Sequence, residues 1–476
     1  MPTLSEALYQ PIPSDPTQED ASSSELPGLD YDTTPPEPPV LGAWYKWTFF
    51  IIGSALLLPW NVIITAVPFF LSRLEGSGHL HLTFSSYLTT LTTVVNFMFL
   101  AHATFYAKPT SPARQTRKMI LALSALTFML IFLTFIRLSP GTFAFLVLLN
   151  AGAQAMCCAY LQMSVIAVGS LFGPDALQPI SSGQAAVAVA VSGVQVFSAA
   201  ASLWGIPREA IATYVSDGTA EAKSAFIFFA FSTVFLVVCA AVHRWLVATP
   251  VYQRIARPLE QFDSTNPEES SGLVAHETKK MRVTSRIGAI VKANMIYEIA
   301  VSYVFIVTLS VFPPITASIL PLNPAIHPLL FSSIHFLVFN IGDFLGRYIC
   351  SFPRLRIWCA HRLLILSLFR TLFIPLFLMC NVQKPSSSIN TSPLINSDSL
   401  YMLILLAFGI SNGYVSLMCL MSAPSIEHNP RLKGRTEDID TVATVTNFSL
   451  VGGLFVGSAA SFGMKAAICG CNPFTG

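Results

Sequence analysis

The sequence predicts an all-α protein that crosses a membrane many times, and three observations predict it. The chain of 476 residues is 53% hydrophobic and only 11% charged, whereas a soluble chain carries about 25% charge. Its apolar runs are long and continuous, and a helix crossing the hydrocarbon needs roughly 20 such residues. Those runs do not alternate polar and apolar residues, so they read as helices and not as strands of a closed barrel. Length alone would suggest two or three soluble domains, but too few charges are present to cover them with a water-facing shell. Net charge is +2, which points to neither a nucleic acid polymer nor an acidic partner.

From the N-terminus, residues 1–41 hold nine prolines, eight Asp or Glu and no Lys or Arg. That composition cannot bury a core and predicts a disordered acidic, Pro-rich cytoplasmic tail. It has no basic region followed by an apolar stretch, so the first spanning helix is expected to act as the insertion signal. Eleven apolar segments follow, at about 44–70, 84–106, 118–137, 141–171, 180–204, 223–247, 290–319, 327–352, 359–380, 400–423 and 441–464. A polar linker over 248–289 separates the sixth from the seventh and carries Lys279, Lys280, Arg282 and Arg286. The organisation predicted is a six-helix bundle over 42–247, the linker, and a five-helix bundle over 290–476.

Basic residues accumulate on the cytoplasmic side of a membrane protein. With the N-terminus cytoplasmic, 19 Lys and Arg fall inside, six outside and two within helices; without the linker's eight the inside still leads 11 to 6. The C-terminus is then on the opposite side, and Asn390-Thr391-Ser392 lies in an outer loop as a glycosylation candidate. A second sequon, at Asn447, falls inside the eleventh segment and reads as chance. The nine cysteines show no CxxC pair and sit mostly in apolar runs, as small core filler.

Charged groups inside hydrocarbon are costly and mark functional sites by default. The eighth segment is the sharpest case, with Phe336, Asn340, Asp343 and Arg347 in FLVFNIGDFLGRYI. Asp343 and Arg347 are four apart and stack on one helix face, and Asn340 precedes Asp343 by three on that face. Two readings stand: a buried ion pair that fixes packing, or a polar wall of a central cavity that meets the hydroxyls of a solute. In the first segment, LLLPWN places Leu57, a helix-kinking Pro59 and Trp60. Trp60 is too deep for the inner aromatic belt; it is an outer-belt residue or a stacking face for a flat ring. Gln162 in the fourth segment can both donate and accept, as reading a base edge requires. Gly183 and Gln184, in the Ser-Gly-Gln of the fifth segment, read first as a helix-packing site.

Arg370, in the ninth segment, either snorkels to an interface or braces a neighbour. Glu298, in the seventh, is expected to reach back to Lys292 or an interface, with a proton-linked carboxylate as the other reading. His102 and His335 have no metal-ligand partners at useful spacing, and no cofactor motif, nucleophile elbow or P-loop is present, so an enzyme is not indicated. A channel would show a repeated filter loop or charge ring, and neither is visible. A carrier of a small polar solute remains.

Taken together, these residues resemble the equilibrative nucleoside transporter family. The resemblance runs through LLLPWN, YLQMSVIAVGSLFG, ISSGQA, VFPPIT, FNIGDFLGR, FRTLFIPLFLMCNV and FGISNGYVSLMCLMSAP, in chain order over the membrane core. It implies a major-facilitator-like fold, with two bundles rocking around a midplane site, and a nucleoside substrate, with nucleobases a further possibility. By the same resemblance Trp60 and Gln162 lie by the base, Asp343 and Arg347 near the ribose, and Asn340, Phe336 and Leu57 line the cavity. Ile64, Gly342 and Phe344 depart from many relatives, which leaves the choice of solute open. A neutral Asp–Arg couple needs no ion to reset, so facilitated diffusion is expected. The alternatives are a proton-coupled nucleoside or nucleobase carrier of an intracellular membrane, vacuolar or endolysosomal, in place of the plasma membrane, or a carrier of another small polar solute.

Overall fold

The fold follows from where the chain can and cannot continue a helix. In the computed structural model, residues 42–75, 77, 79–106, 111–203, 219–256, 273–323, 326–382 and 393–469 are described. The acidic tail, Asn390 and much of the linker lie outside them. The helices are α1 (Ala43–Thr65), α2 (Val67–Arg73), α3 (His79–Phe105), α4 (Pro112–Phe135), α5 (Pro140–Leu171), α6 (Pro174–Leu203) and α7 (Thr219–Ala248). After them come α8 (Pro250–Ile255), α9 (Leu273–Val311), α10 (Pro328–Ile349), α11 (Ala360–Phe369), α12 (Phe373–Leu378), α13 (Asp398–Ser422) and α14 (Ile439–Cys469). No strand runs through the described residues; the one β contact is an isolated bridge, Ile319 to Val382.

Proline opens α4, α5, α6, α8 and α10, where its missing N–H costs nothing and its fixed φ suits the first turn. Ser111, Thr249 and Ser397 cap α4, α8 and α13 by accepting from backbone N–H groups at 3.3 Å. Between α5 and α6 only Phe172 and Gly173 intervene, and Gly173 takes φ +79°, a conformation that glycine alone adopts without a steric cost.

Three expected boundaries move. The seventh segment begins at Leu273, not near 290, because nothing between there and Arg286 breaks a helix. At 39 residues, α9 is about 58 Å long by its rise per residue, so part of the linker is this helix continued. It stops at Val311, before 319, because Pro313 and Pro314 follow. The ninth segment is interrupted: a 3₁₀ turn over Arg370–Leu372 joins α11 to α12. Pro375 cannot bond back to Thr371, and the turn before it tightens.

Ten of the described helices are long and apolar enough to cross a membrane. The segment outside this set is α10, whose His335, Asn340, Asp343 and Arg347 dilute its hydropathy. Lipid is the solvent for the outer faces: Phe128, Phe132 and Phe135 on α4, and Ile227, Phe231 and Val234 on α7, are 48–68% exposed. So many bare aromatics would aggregate in water.

Pairing of the helices repeats along the chain. In the first half α1 packs on α6, α3 on α5 and α4 on α7. In the second, α9 packs on α14, α10 on α13 and α11 on α9. Small residues set the closest crossings. A Cβ on Gly53 or Gly183 would run into the backbone of α6 or α1, and one on Gly346 or Gly413 into that of α13 or α10. Between the halves, α6 lies along α10, and α14 along α3 and α5. Those two seams hold the candidate site.

Candidate functional site

On α10 the i,i+4 geometry works as its spacing requires. Arg347 Nε donates to Asp343 Oδ2 at 2.9 Å, and Asp343 is buried at 8% exposure. Arg347 Nη1 also donates to the Ser181 carbonyl of α6 at 3.1 Å. Gln178 Nε2, on α6, returns the contact to the Arg347 carbonyl at 3.3 Å and to Ser182 Oγ at 2.9 Å. Two turns along, Asn340 Nδ2 donates to Ser192 Oγ at 3.2 Å and to the Ala188 carbonyl at 3.3 Å. The polar face of α10 is therefore seated against α6, with the ion pair bridging the seam.

Behind Asp343 stands a network that the sequence reading missed. Asn412 Nδ2 on α13 donates to Asp343 Oδ1 at 2.6 Å. Thr308 Oγ1 on α9 donates to Asn412 Oδ1 at 2.7 Å. Arg370 then closes the set: Nη2 donates to Thr308 Oγ1 at 2.8 Å and Nη1 to the Phe408 carbonyl at 3.0 Å and to Ser411 Oγ. Its guanidinium lies 4.5 Å from the centre of the Phe408 ring, a cation–π contact. At 1% exposure Arg370 braces and does not snorkel. Asp343 thus serves two guanidiniums, one directly and one through Asn412. The group carries one more positive charge than the simple couple that the sequence suggests. The signal for Asn412 was present in the SNGY run, but a neutral amide in an apolar segment does not show what it touches.

The remaining residues divide. Gln162 on α5 donates from Nε2 to Asn447 Oδ1 on α14 at 2.9 Å, across the second seam. Phe336 packs against His335 and, edge-on, against Phe312, with ring centres 4.2 and 5.1 Å away. Trp60 and Leu57 are half-buried on α1 and make no hydrogen bond or ring contact to the others among the described residues. Gly183 packs: the Ser54 hydroxyl of α1 donates to its carbonyl at 3.2 Å, and Gln184 beside it is half-buried. Glu298 does not pair with Lys292. It is 7% exposed, with Oε1 lacking any hydrogen bond among the described residues, because its turn of α9 faces inward and Lys292 does not. Asn447 is 2% exposed within α14, which closes its sequon to any glycan.

At one end of the seam the halves are clasped by charge. Asp175, in the first turn of α6, takes Lys46 of α1 at 3.4 Å and Arg356, from the α10–α11 loop, at 3.2 Å. Arg356 is itself anchored, donating from Nε to the Cys350 carbonyl at 2.8 Å, so the clasp ties α6 to the end of α10.

The family model described as "Nucleoside transporter" matches residues 143–466. Among curated proteins, the chain is 28% identical to equilibrative nucleoside transporter 3 of Rattus norvegicus, covering 96% of this chain and 96% of that protein. It is 25% identical to equilibrative nucleoside transporter 1 of the same species and 26% identical to equilibrative nucleoside transporter 2 of Homo sapiens, each over 88% of this chain and 96% of the relative. Its fold is similar to that of a major facilitator superfamily transporter, FucP, in the outward conformation: TM-score 0.52, 14% identity, 90% of this chain and 94% of that one. A proton:xylose symporter, XylE, gives TM-score 0.52 at 10% identity, covering 90% of each chain. The match spans the helices that carry the α10 ion pair, its Asn412 brace and Gln162, and on it the chain belongs to the nucleoside transporter family.

Proposed function

We propose that this protein carries nucleosides across a membrane by facilitated diffusion, through alternating access around a site between two helical bundles. The observation that carries the reading is the α10 face, Asn340, Asp343 and Arg347, set into the seam against α6. Hydroxyl-rich solutes suit it, since a carboxylate accepts from a ribose and a guanidinium donates to it. In this reading Asp343, Arg347 and Asn340 meet the sugar, Trp60 and Gln162 meet the base, and Phe336 and Leu57 line the cavity. The bundles are residues 42–247 and 290–476, with eleven spans, the N-terminus cytoplasmic and the C-terminus on the other side. The plasma membrane is the expected location, a vacuolar or endolysosomal membrane the alternative. The clasp at Asp175 then closes the cytoplasmic end, and rocking must break it.

The test is uptake of a panel of radiolabelled nucleosides and nucleobases into cells lacking their own transporters, with the purified protein then assayed in proteoliposomes. Saturable equilibration of nucleosides in both directions, indifferent to sodium, supports the reading; no nucleoside uptake from a correctly inserted protein refutes it. One observation favours a second reading, proton coupling: Glu298 is a buried carboxylate with an unbonded oxygen. Uphill accumulation driven by a proton gradient and lost in Glu298→Gln would establish that reading in place of simple diffusion.

A further inference from the structure

Asn447 belongs to the chance sequon, and its place in an apolar run gives it no role. The structure puts it against Gln162, one of the two residues read as facing the base. Asn447 Oδ1 accepts from Gln162 Nε2 at 2.9 Å, across the seam where α14 packs on α5. The asparagine side chain is 2% exposed, and its Nδ2 has no hydrogen-bond partner among the described residues. A buried amide that spends one atom and leaves the other bare is uncommon, because the bare group keeps its full desolvation penalty. Such an orphan points to a partner that arrives with a ligand or with water.

Gln162 differs in that it is only half-buried, so part of its amide stays accessible. An amide carries one acceptor and two donors in fixed positions. With Nε2 drawn to α14, the atom left facing away is Oε1, which makes no hydrogen bond among the described residues. The N–H groups of Asn447 are buried and likewise unspent among the described residues. The pair thus keeps an unspent acceptor on Gln162 and unspent donors on Asn447, tied by the hydrogen bond between the two amides.

We infer that Asn447 is a positioning and specificity-determining residue: it orients the Gln162 amide so that the carrier prefers bases with an amino group beside a ring-nitrogen acceptor. Adenine and cytosine present that edge, whereas hypoxanthine and uracil present a carbonyl oxygen in place of the amino group. A site built to accept from an N–H discriminates well against the analogue lacking it, because the acceptor is left unpaired. The inference rests on the placement of Gln162 by the base under the proposed function.

The test uses adenosine against inosine, and cytidine against uridine, with full-length purified protein in proteoliposomes. The wild type should show a KM for inosine about five-fold above that for adenosine, the worth of roughly one hydrogen bond, with kcat little changed. Asn447→Ala and Asn447→Ser should bring the two KM values within about two-fold by raising that of adenosine. Asn447→Asp, which still draws Gln162 Nε2 but has no N–H to offer a ring nitrogen, should lower the preference without removing it. In a Gln162→Ala background, Asn447→Ala should change the ratio no further, since coupled residues are not additive. A preference that survives Asn447→Ala and Asn447→Ser, or shifts of equal size with and without Gln162, overturns the inference and leaves nucleoside transport standing. A wild type that carries adenosine and inosine alike overturns it too. No nucleoside transport at all refutes the proposed function and, with it, this inference.

Discussion

At the scale of single residues, the centre of the molecule is Asp343, which receives Arg347 and Asn412 directly and Arg370 at one remove. Removing one member of a buried pair leaves a charge without its partner, which costs about 3–5 kcal/mol. Asp343→Ala and Arg347→Ala are therefore each expected to abolish uptake, measured per molecule at the cell surface. Normal transport from both variants, correctly inserted, would remove Asp343 and Arg347 from the site. Arg370→Lys should also harm the protein, although charge is kept. A single ammonium cannot span Thr308, Ser411 and the Phe408 carbonyl as the planar fork does. The loss of one or two hydrogen bonds, about 1–3 kcal/mol, should appear as a lower melting temperature in detergent. An unchanged melting curve would show that the fork contributes nothing to folding. The i,i+4 pairing of Asp343 with Arg347 was legible in the sequence because it lies within one helix. The Asn412 and Thr308 contacts were not, because they depend on which helices become neighbours.

At the scale of elements, helix crossings follow from glycine. Gly346 and Gly413 let α10 and α13 approach until a Cβ on either would meet a carbonyl of the other. That approach is what brings Asn412 within reach of Asp343. Gly346→Val is expected to prevent folding or to separate the two helices, with little monodisperse protein recovered on size exclusion. Gly141→Ala at the start of α5, where a Cβ meets nothing within 4 Å, is the tolerated control. Equal recovery of both variants would mean that the α10–α13 crossing is not close. The helix boundaries that sequence misplaced have local causes. Leu273–Val311 runs past its expected start because basic residues extend a helix as readily as apolar ones, and hydropathy marks only the part in lipid. The 3₁₀ turn at Arg370 owes its place to Pro375.

At the scale of the whole molecule, the two seams and the clasp at Asp175 decide what can move. Lys46 and Arg356 reach the same carboxylate from opposite halves of the chain, so neutralising it should loosen the closed end. Asp175→Asn is expected to raise the labelling of a cysteine introduced at Gln178 by an impermeant reagent in inside-out vesicles. Labelling equal to that of the parent would show that the clasp does not hold the seam. For topology, an N-terminal tag should be shielded from outside reagents and a C-terminal tag reachable, and Asn390 should accept glycan; an exposed N-terminus would overturn the orientation. Composition and run length by themselves determined an all-helical chain in lipid, the order of its segments and the charge bias on which the proposed orientation rests, because hydropathy and charge act on each segment separately. The motifs determined the family. Only the tertiary structure decided that Arg370 is a brace, that Glu298 has no ion pair among the described residues and that Asn447 meets Gln162. Each depends on a contact between segments far apart in the chain, and a neutral amide in an apolar run reads alike whether it faces lipid, a neighbour or a solute.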